Sequence, residues 1–285
     1  MSALLPPEVS AEPPPCTWAN VSVANGIAEV ALVATGKASR QGPAFWLEAP
    51  ALFAWLDASP LVRVVLLRGE GEGFSHGIDL MAMASDLGGV AAPGVGALER
   101  SKLFDLISRM QQATSSIARC KKPVVAAVHG HCIGAGVDIT SACDVRLCSA
   151  DAKFSVREVK LAIVADVGTL ARLPAIIGQG ATRELALTGD DFDAARALSL
   201  GFVSQVYDTP DALLVAARAM AGRIAENPPL TTQGVKRVLN AMSEPEAQRS
   251  LDYVATWNAA FLPSEDMAEA MMAFAARRPP SFRGK

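Results

Sequence analysis

Residues 124–166 read VVAAVHGHCIGAGVDITSACDVRLCSADAKFSVREVKLAIVAD, and the division of this stretch decides the fold. Val124–Val128 is an uninterrupted apolar run, the signature of a strand buried on both faces. The glycine-rich turn GHCIGAG follows, and a helix is expected from about Gly134 to Cys143. Val145–Leu147 and Lys153–Val156 read as further strands around a Ser-Ala-Asp-Ala turn. Three acids punctuate the segment at Asp138, Glu158 and Asp166, the first and last between apolar neighbours. A carboxylate buried in such surroundings is either paired or functional.

Upstream, Leu61–Arg68 is β-branched and mostly apolar, a second strand covered on both faces. It runs into GEGEGFSHGIDL, residues 69–80, expected as a glycine-rich turn. Asn25-Gly26, between Val21–Val23 and Ile27–Val33, predicts a hairpin. Thr35–Pro43 is expected as a loop carrying Lys37 and Arg40. Helical spacing predicts helices over 44–57 and 97–119.

Downstream, helices over 168–177 and 181–187 are separated by Gly178 and Gly180, and Asp190-Asp191 is expected to cap a helix through Leu198. Gly201–Val206 reads as a strand. From Asp208 the pattern is helical, with breaks at Pro228-Pro229 and Pro245. Alternating strands and helices with a helical tail indicate an α/β fold. Three regions are expected: a flexible tail over 1–16, a core domain over 17–207 and a helical region over 208–285. No repeat of 20 to 50 residues is evident in the sequence.

The chain has 285 residues, 51% hydrophobic and 19% charged, with a net charge of −3. That length supports a large core. The lack of a basic cluster argues against nucleic acid as the main partner. The five cysteines lack metal-type spacing, so no metal is expected, and reduced thiols suit an intracellular setting. Neither a secretory signal, a transit peptide, a peroxisomal ending nor a membrane span is read, so a cytoplasmic location is expected.

Two loops share one construction: a buried strand, small residues, then a helix start. They are Ser75-His76-Gly77-Ile78-Asp79 and Ile133-Gly134-Ala135-Gly136. If their strands are neighbours, a backbone N–H from each can meet one oxygen and form an oxyanion hole. A plain glycine turn and a tightly packed helix N-terminus explain the same residues. Each acid also has a structural alternative. Asp166 can cap the helix at 168, Glu158 can pair with Arg157, Lys160 or a distant Arg, and Asp138 can cap or hydrogen-bond within the core. As a functional set, two acids in one apolar pocket can pass a proton across a substrate. Hydrolase-nucleophile, phosphate-loop and metalloprotease motifs are absent from the sequence. Histidines 76, 129 and 131 all lie near the glycine loops.

GFSHGIDL followed by AAVHGHCIGAGVD resembles the crotonase (enoyl-CoA hydratase/isomerase) superfamily, and the likeness extends from about Trp18 to the C-terminal helices. The resemblance implies a spiral ββα core with a helical C-terminal region, trimers that often pair into hexamers, and an acyl-CoA thioester substrate. No cofactor is implied beyond the coenzyme A of that substrate. Matched by position, the thioester oxygen would sit between the N–H groups of Ile78 and Ala135, the latter a departure from the usual glycine. Gly77, Asp79 and Leu80 would line the substrate, and Lys37 and Arg40 would meet the CoA nucleotide. The acids, with SHGIDLMAMASD and SLDYVATWN, are similar to the branch that converts 3,5-dienoyl-CoA to 2,4-dienoyl-CoA in fatty-acid β-oxidation. There Glu158 would serve C2, Asp166 would serve C6, and Asp138 would support them. The alternatives are a hydratase holding water between Asp138 and Glu158, a positional enoyl-CoA isomerase using one acid, and a binding protein without activity. The pocket floor is expected from segments 81–119 and the C-terminal helices.

Overall fold

The computed structural model describes residue 10 and residues 12–285; residues 1–9 and 11 of the expected tail lie outside the described residues. The elements in chain order are β1 (Ala19–Ala24), β2 (Ile27–Leu32), β3 (Ala38–Gln41), α1 (Pro43–Ala58), β4 (Val64–Gly69), β5 (Gly73–Ile78), α2 (Ala84–Gly88) and α3 (Ala97–Arg119). They continue with β6 (Val124–Val128), β7 (His131–Ile133), α4 (Ala135–Ser141), β8 (Val145–Ser149), β9 (Lys153–Ser155) and a 3-10 turn (Glu158–Leu161). The remainder is α5 (Thr169–Thr188), β10 (Asp191–Asp193), α6 (Ala194–Ser199), β11 (Gln205–Tyr207), α7 (Pro210–Glu226), α8 (Pro229–Phe261) and α9 (Glu265–Ala275).

The described strands form two sheets, ordered β1-β2-β4-β6-β8-β11 and β10-β9-β7-β5-β3. Apart from the antiparallel pairs β1–β2 and β9–β10, neighbouring strands are parallel. Each central strand of the first sheet turns sharply into a strand of the second: β2 into β3, β4 into β5, β6 into β7, β8 into β9. Helices or the 3-10 turn follow, so the unit is a strand pair and a helix winding as a spiral. The repeat escapes the sequence because α3 is 23 residues long and α4 only 7.

The central strands β4 and β6 of the first sheet are buried on both faces, as their apolar runs require. Val65 and Leu67 join the main core with Phe45, Phe53 and Phe74, while Val64 and Leu66 pack on Leu213, Ala217 and Ala221 of α7. The predicted hairpin forms with Asn25 and Gly26 both at positive φ, 52° and 78°. The turn that demands such angles is the one Asn-Gly favours.

Several expectations need correction. The loops over 35–43, 69–80 and 130–136 contain β3, β5 and β7, short strands of sequence ASRQ, GFSHGI and HCI in which β-branched residues are few. The break expected between helices 168–177 and 181–187 is present within α5, at Gly178 with its non-helical φ of 80°. Asp191 starts β10 instead of capping, and the cap of α6 is Asp193, whose side chain accepts from Arg196 N–H. The last strand is β11, later than expected. Helix α8 continues through Pro245. It forgoes one backbone hydrogen bond there, and buried Ala247, Leu251, Val254 and Ala255 hold the segment down.

Candidate active site

The four parallel strands β3, β5, β7 and β9 end side by side, and the candidate residues stand at those ends. In open parallel sheets the carboxyl ends of the strands are where ligands bind. Arg40 lies on β3, Gly77 and Ile78 finish β5, Ala135 follows β7, and Glu158 follows β9. Gly77, Ile78, Asp79, Leu80, Gly134, Ala135, Glu158 and Arg40 line one cavity of about 590 Å³. Its volume falls in the range of small-molecule sites.

Two glycines set the close approach of the loops. Gly77 has φ +84°, and a Cβ there would fall 2.9 Å from Ile133 O and 3.6 Å from Ala135 N. Gly134 has φ +54°, and a Cβ there would lie 3.3 Å from Glu158 Oε1 and 4.0 Å from Gly77 Cα. Glycine is needed at both places for the backbone angle and for space. Ala135 is the first residue of α4, so its N–H has no partner in the helix's own ladder. Hence a free helix-start N–H, the end of β5 and the Glu158 carboxyl all lie within about a methyl group's reach of the two glycines.

Glu158 is enclosed by protein yet reached by solvent through the cavity. Its Oε2 has no hydrogen-bond partner. Burial raises its pKa, and the nearby charges of Asp138 and Asp166 raise it further. The pairing alternatives are not realised: Arg157 pairs with Asp191 and Lys160 with Asp190.

Asp166 sits on the loop between the 3-10 turn and α5. Burial pushes its pKa up to about 7 against the hydrogen bond from Asn258, and Asp138 adds to the rise. Asn258 Nδ2 donates to Asp166 Oδ2 at 2.7 Å and to Val164 O at 2.8 Å, while Gln111 Nε2 donates to Asp166 O at 2.8 Å. Asp166 does not cap α5. The N-cap there is Gly168, and the Thr169 N–H donates instead to Asp138 Oδ1.

Asp138 therefore takes the capping role, reaching across from α4. It is fully buried, and its Oδ2 has no partner. Burial raises its pKa, while the Thr169 N–H and the Arg172 guanidinium pull it back. Asp138 and Asp166 do not line the cavity.

The remaining candidates divide. Asp79 lines the cavity but uses its carboxylate to accept from Ala82 N–H at 3.0 Å, closing a turn. Lys37 stands outside the lining and pairs with Glu72 at 3.0 Å on the surface. His76 does line the cavity, and its ring meets that of His131 edge-on with centroids 5.4 Å apart. Burial lowers its pKa, as do the neighbouring His131, Arg40 and Lys37. The floor comes from Met81 and from Ala270, Ala273 and Phe274 of α9; α3 contributes no lining, contrary to expectation.

Sequence reasoning missed Asn258 and Arg172 as site partners. Asn258 ends SLDYVATWN, a run singled out for its likeness without a role, and nothing in sequence marks Arg172. Pairing through α8 and α5 is purely tertiary.

Comparison with known proteins adds the following. The family model described as enoyl-CoA hydratase/isomerase matches residues 25–285. The peroxisomal Δ3,5-Δ2,4-dienoyl-CoA isomerase of Arabidopsis thaliana is 43% identical over 84% of this chain and 86% of its own. The mitochondrial isomerase of that name from Dictyostelium discoideum is 40% identical over 90% of this chain and 87% of its own. Among solved structures, an enoyl-CoA hydratase from Mycobacterium avium subsp. paratuberculosis K-10 superposes with a TM-score of 0.80 at 27% identity, covering 94% of this chain and all of that one. The expected cytoplasmic location is corrected by these names, since both isomerases are organellar.

Proposed function

Because the chain belongs to the enoyl-CoA hydratase/isomerase family, we propose that it converts 3,5-dienoyl-CoA to 2,4-dienoyl-CoA, as part of fatty-acid β-oxidation. The observation that carries the reading is the placement of Glu158 beside the Gly77 and Gly134 loops, with Asp166 farther along the same segment. The thioester oxygen accepts from Ile78 and Ala135 N–H. Ionised Glu158 takes a proton from C2, and the electron pair spreads through the 3,5-diene as a dienolate. Protonated Asp166 then delivers a proton to C6, leaving the double bonds at C2 and C4. The acids exchange one proton for another, so nothing is oxidised and no cofactor beyond the substrate's coenzyme A takes part.

Burial brings both carboxyls toward neutrality, Glu158 to about 8 and Asp166 to about 7, where a carboxyl both gives and takes a proton readily. The order of the two in the free protein is opposite to the roles assigned, so substrate binding must favour ionised Glu158 with protonated Asp166. Since the charges of Asp138 and Asp166 both bear on Glu158, the proton count belongs to the cluster of three acids. Asp138 supports them as a fixed neighbour. One of its oxygens is committed to capping α5 through Thr169 N–H, a structural role that speaks against its holding a hydratase water with Glu158. Arg40 and His76 face the cavity mouth, where an anionic CoA arm enters. Assembly as a homotrimer or a pair of trimers is part of the same proposal, supported by exposed Val235, Val238, Leu239 and Met242 on one stretch of α8.

The test is direct. Incubated with 3,5-dienoyl-CoA, the protein is expected to produce the absorbance of a 2,4-diene conjugated to the thioester. Hydration of 2-enoyl-CoA with no change in the dienoyl substrate would contradict the assignment.

A further inference from the structure

The loop that carries Asp166 is pegged by side chains rather than by a strand or helix of its own. Asn258 Nδ2 donates to Val164 O at 2.8 Å, Gln111 Nε2 donates to Asp166 O at 2.8 Å, and the Thr114 hydroxyl donates to Val167 O. All three donors are buried. Two come from α3 and one from α8, and Gln111 also donates to Leu251 O of α8 at 2.9 Å. The loop, α3 and α8 are thereby tied into one unit.

Asn258 does one thing more. Besides Val164 O, the same nitrogen donates to Asp166 Oδ2 at 2.7 Å. An amide nitrogen has two hydrogens, and both are spent here. Turning the amide over would set its oxygen against two acceptors, so the contacts themselves dictate the orientation. An N–H pointed at Oδ2 leaves no acceptor there for a carboxyl hydrogen. Oδ1 accepts from no other residue among those described, and Asp166 is half-buried rather than sealed.

We propose that Asn258 is a positioning residue for the C6 acid: its amide keeps Asp166 Oδ2 free of hydrogen in either protonation state, so Oδ1 is the oxygen that holds the proton and delivers it. In the delivery step the Oδ1–H bond breaks, its electrons stay on the carboxylate, and the electron pair of the dienolate forms the C6–H bond. Oδ2 carries more negative charge after that transfer than before it, so the Asn258 hydrogen bond strengthens as the proton leaves. A lysine or arginine in that place would also aim a donor at Oδ2, but its charge would hold Asp166 ionised and end its use as an acid. The three donors on this loop are all neutral. The ionisable groups bearing on Asp166 are Asp138 of α4 and Glu158 of the 3-10 turn, both acids, while Arg172 of α5 is turned to Asp138 and Glu244.

The C6 assignment rests on the dienoyl-CoA reading above, so the test includes a readout without turnover. Infrared titration follows the carbonyl stretch of a protonated carboxyl, and the band that Asp166→Asn removes belongs to Asp166. Asn258→Leu takes away the donor at similar size, and with it a hydrogen bond that lowers the Asp166 pKa. The midpoint of the band should therefore rise by about one pH unit. On 3,5-dienoyl-CoA, kcat should fall roughly 10- to 100-fold, and its alkaline limb should move upward with the band. Deuterium exchange at C2 and acyl-CoA binding should stay within about twofold of the parent. Asn258→Ala, which admits a water beside Oδ2, should show a smaller change in the same direction and serves if the leucine variant does not fold. Gln111→Leu loosens the same loop without touching the carboxyl, and should lower kcat with the band midpoint unchanged. A midpoint that stays or falls in both Asn258 variants would overturn the proposal. So would the same rise in Gln111→Leu, an unchanged kcat, or equal loss of C2 exchange and isomerisation. The expected shift of the band in a protein that forms no 2,4-dienoyl-CoA would leave Asn258 as the partner of Asp166 and remove the reaction.

Discussion

The two sheets of this molecule are built from different alphabets. The first has VVLLRG and VVAAV at its centre, strands whose every apolar side chain is buried. The second has GFSHGI and HCI, with glycine and small polar residues where branched chains would be expected. The first sheet earns its stability from area removed from water. The second is held by ladder hydrogen bonds and by backbone contacts so close that a methyl group would not fit. A Cβ on Gly130 would fall 2.2 Å from Glu72 O, and one on Gly73 would fall 2.8 Å from His131 N. That closeness is what brings Ile78, Ala135 and Glu158 to one cavity. Stability and chemistry are thus assigned to separate layers, and substitutions should sort accordingly.

The largest expected effect lies at the end of the second sheet. Glu158→Gln should lower kcat on 3,5-dienoyl-CoA by roughly 100- to 10,000-fold, the usual worth of a general acid or base. Acyl-CoA binding should hold and the melting temperature should not fall, because the lost carboxylate has no ion-pair partner to abandon and is destabilising when ionised in its buried setting. Steady-state kinetics with a thermal melt checks this, and a variant that unfolds would break the division between layers.

The next effect belongs to the first sheet. Leu66 is fully buried against α7, and Leu66→Ala should cost about 2–5 kcal/mol in urea denaturation. The activity per folded molecule should stay within about twofold. A large loss of kcat at full folding would show that the layers are coupled more tightly than their packing implies.

The smallest effect concerns pH. The Asp166 carboxyl has a pKa of about 7 against an ordinary 3.8. A carboxylate whose pKa is raised on folding contributes stability that is complete below the unfolded value and is lost as pH rises through the folded one. Asp166→Asn removes that loss. It should therefore be more stable than the parent at pH 8, on the order of 1 kcal/mol after allowing for solvent reaching the carboxyl, and equal to it below pH 3.8. Paired thermal melts at several pH values measure the difference.

The same division explains what was legible in the sequence. Val124–Val128, Leu61–Arg68 and the helix over 97–119 announce themselves because continuous or periodic apolar patterns report burial directly. The strands β3, β5 and β7 do not, since a strand whose role is to carry glycines close to other backbone lacks any such pattern. The acids were visible as charges among apolar neighbours, but their partners were not. Asp138 and Asp166 each seemed able to cap a helix, and only the fold shows that Asp138 reaches Thr169 while Asp166 is held by Asn258 from 92 residues away. Such pairings depend on how α4, α5 and α8 pack, which local sequence does not encode. The spiral itself came from resemblance, because its units differ too much in length to read as a repeat.

The proposal that Glu158 and Asp166 handle different carbons is tested most directly with the Asp166→Asn variant in deuterium oxide. With 3,5-dienoyl-CoA it should exchange hydrogen at C2 for deuterium, through Glu158 and the oxyanion donors, while forming almost no 2,4-dienoyl product. Mass spectrometry of the recovered thioester reads the label, and absorbance reads the product. Isomerisation at the parent rate, or loss of C2 exchange together with isomerisation while the thioester still binds, would contradict separate roles for the two acids.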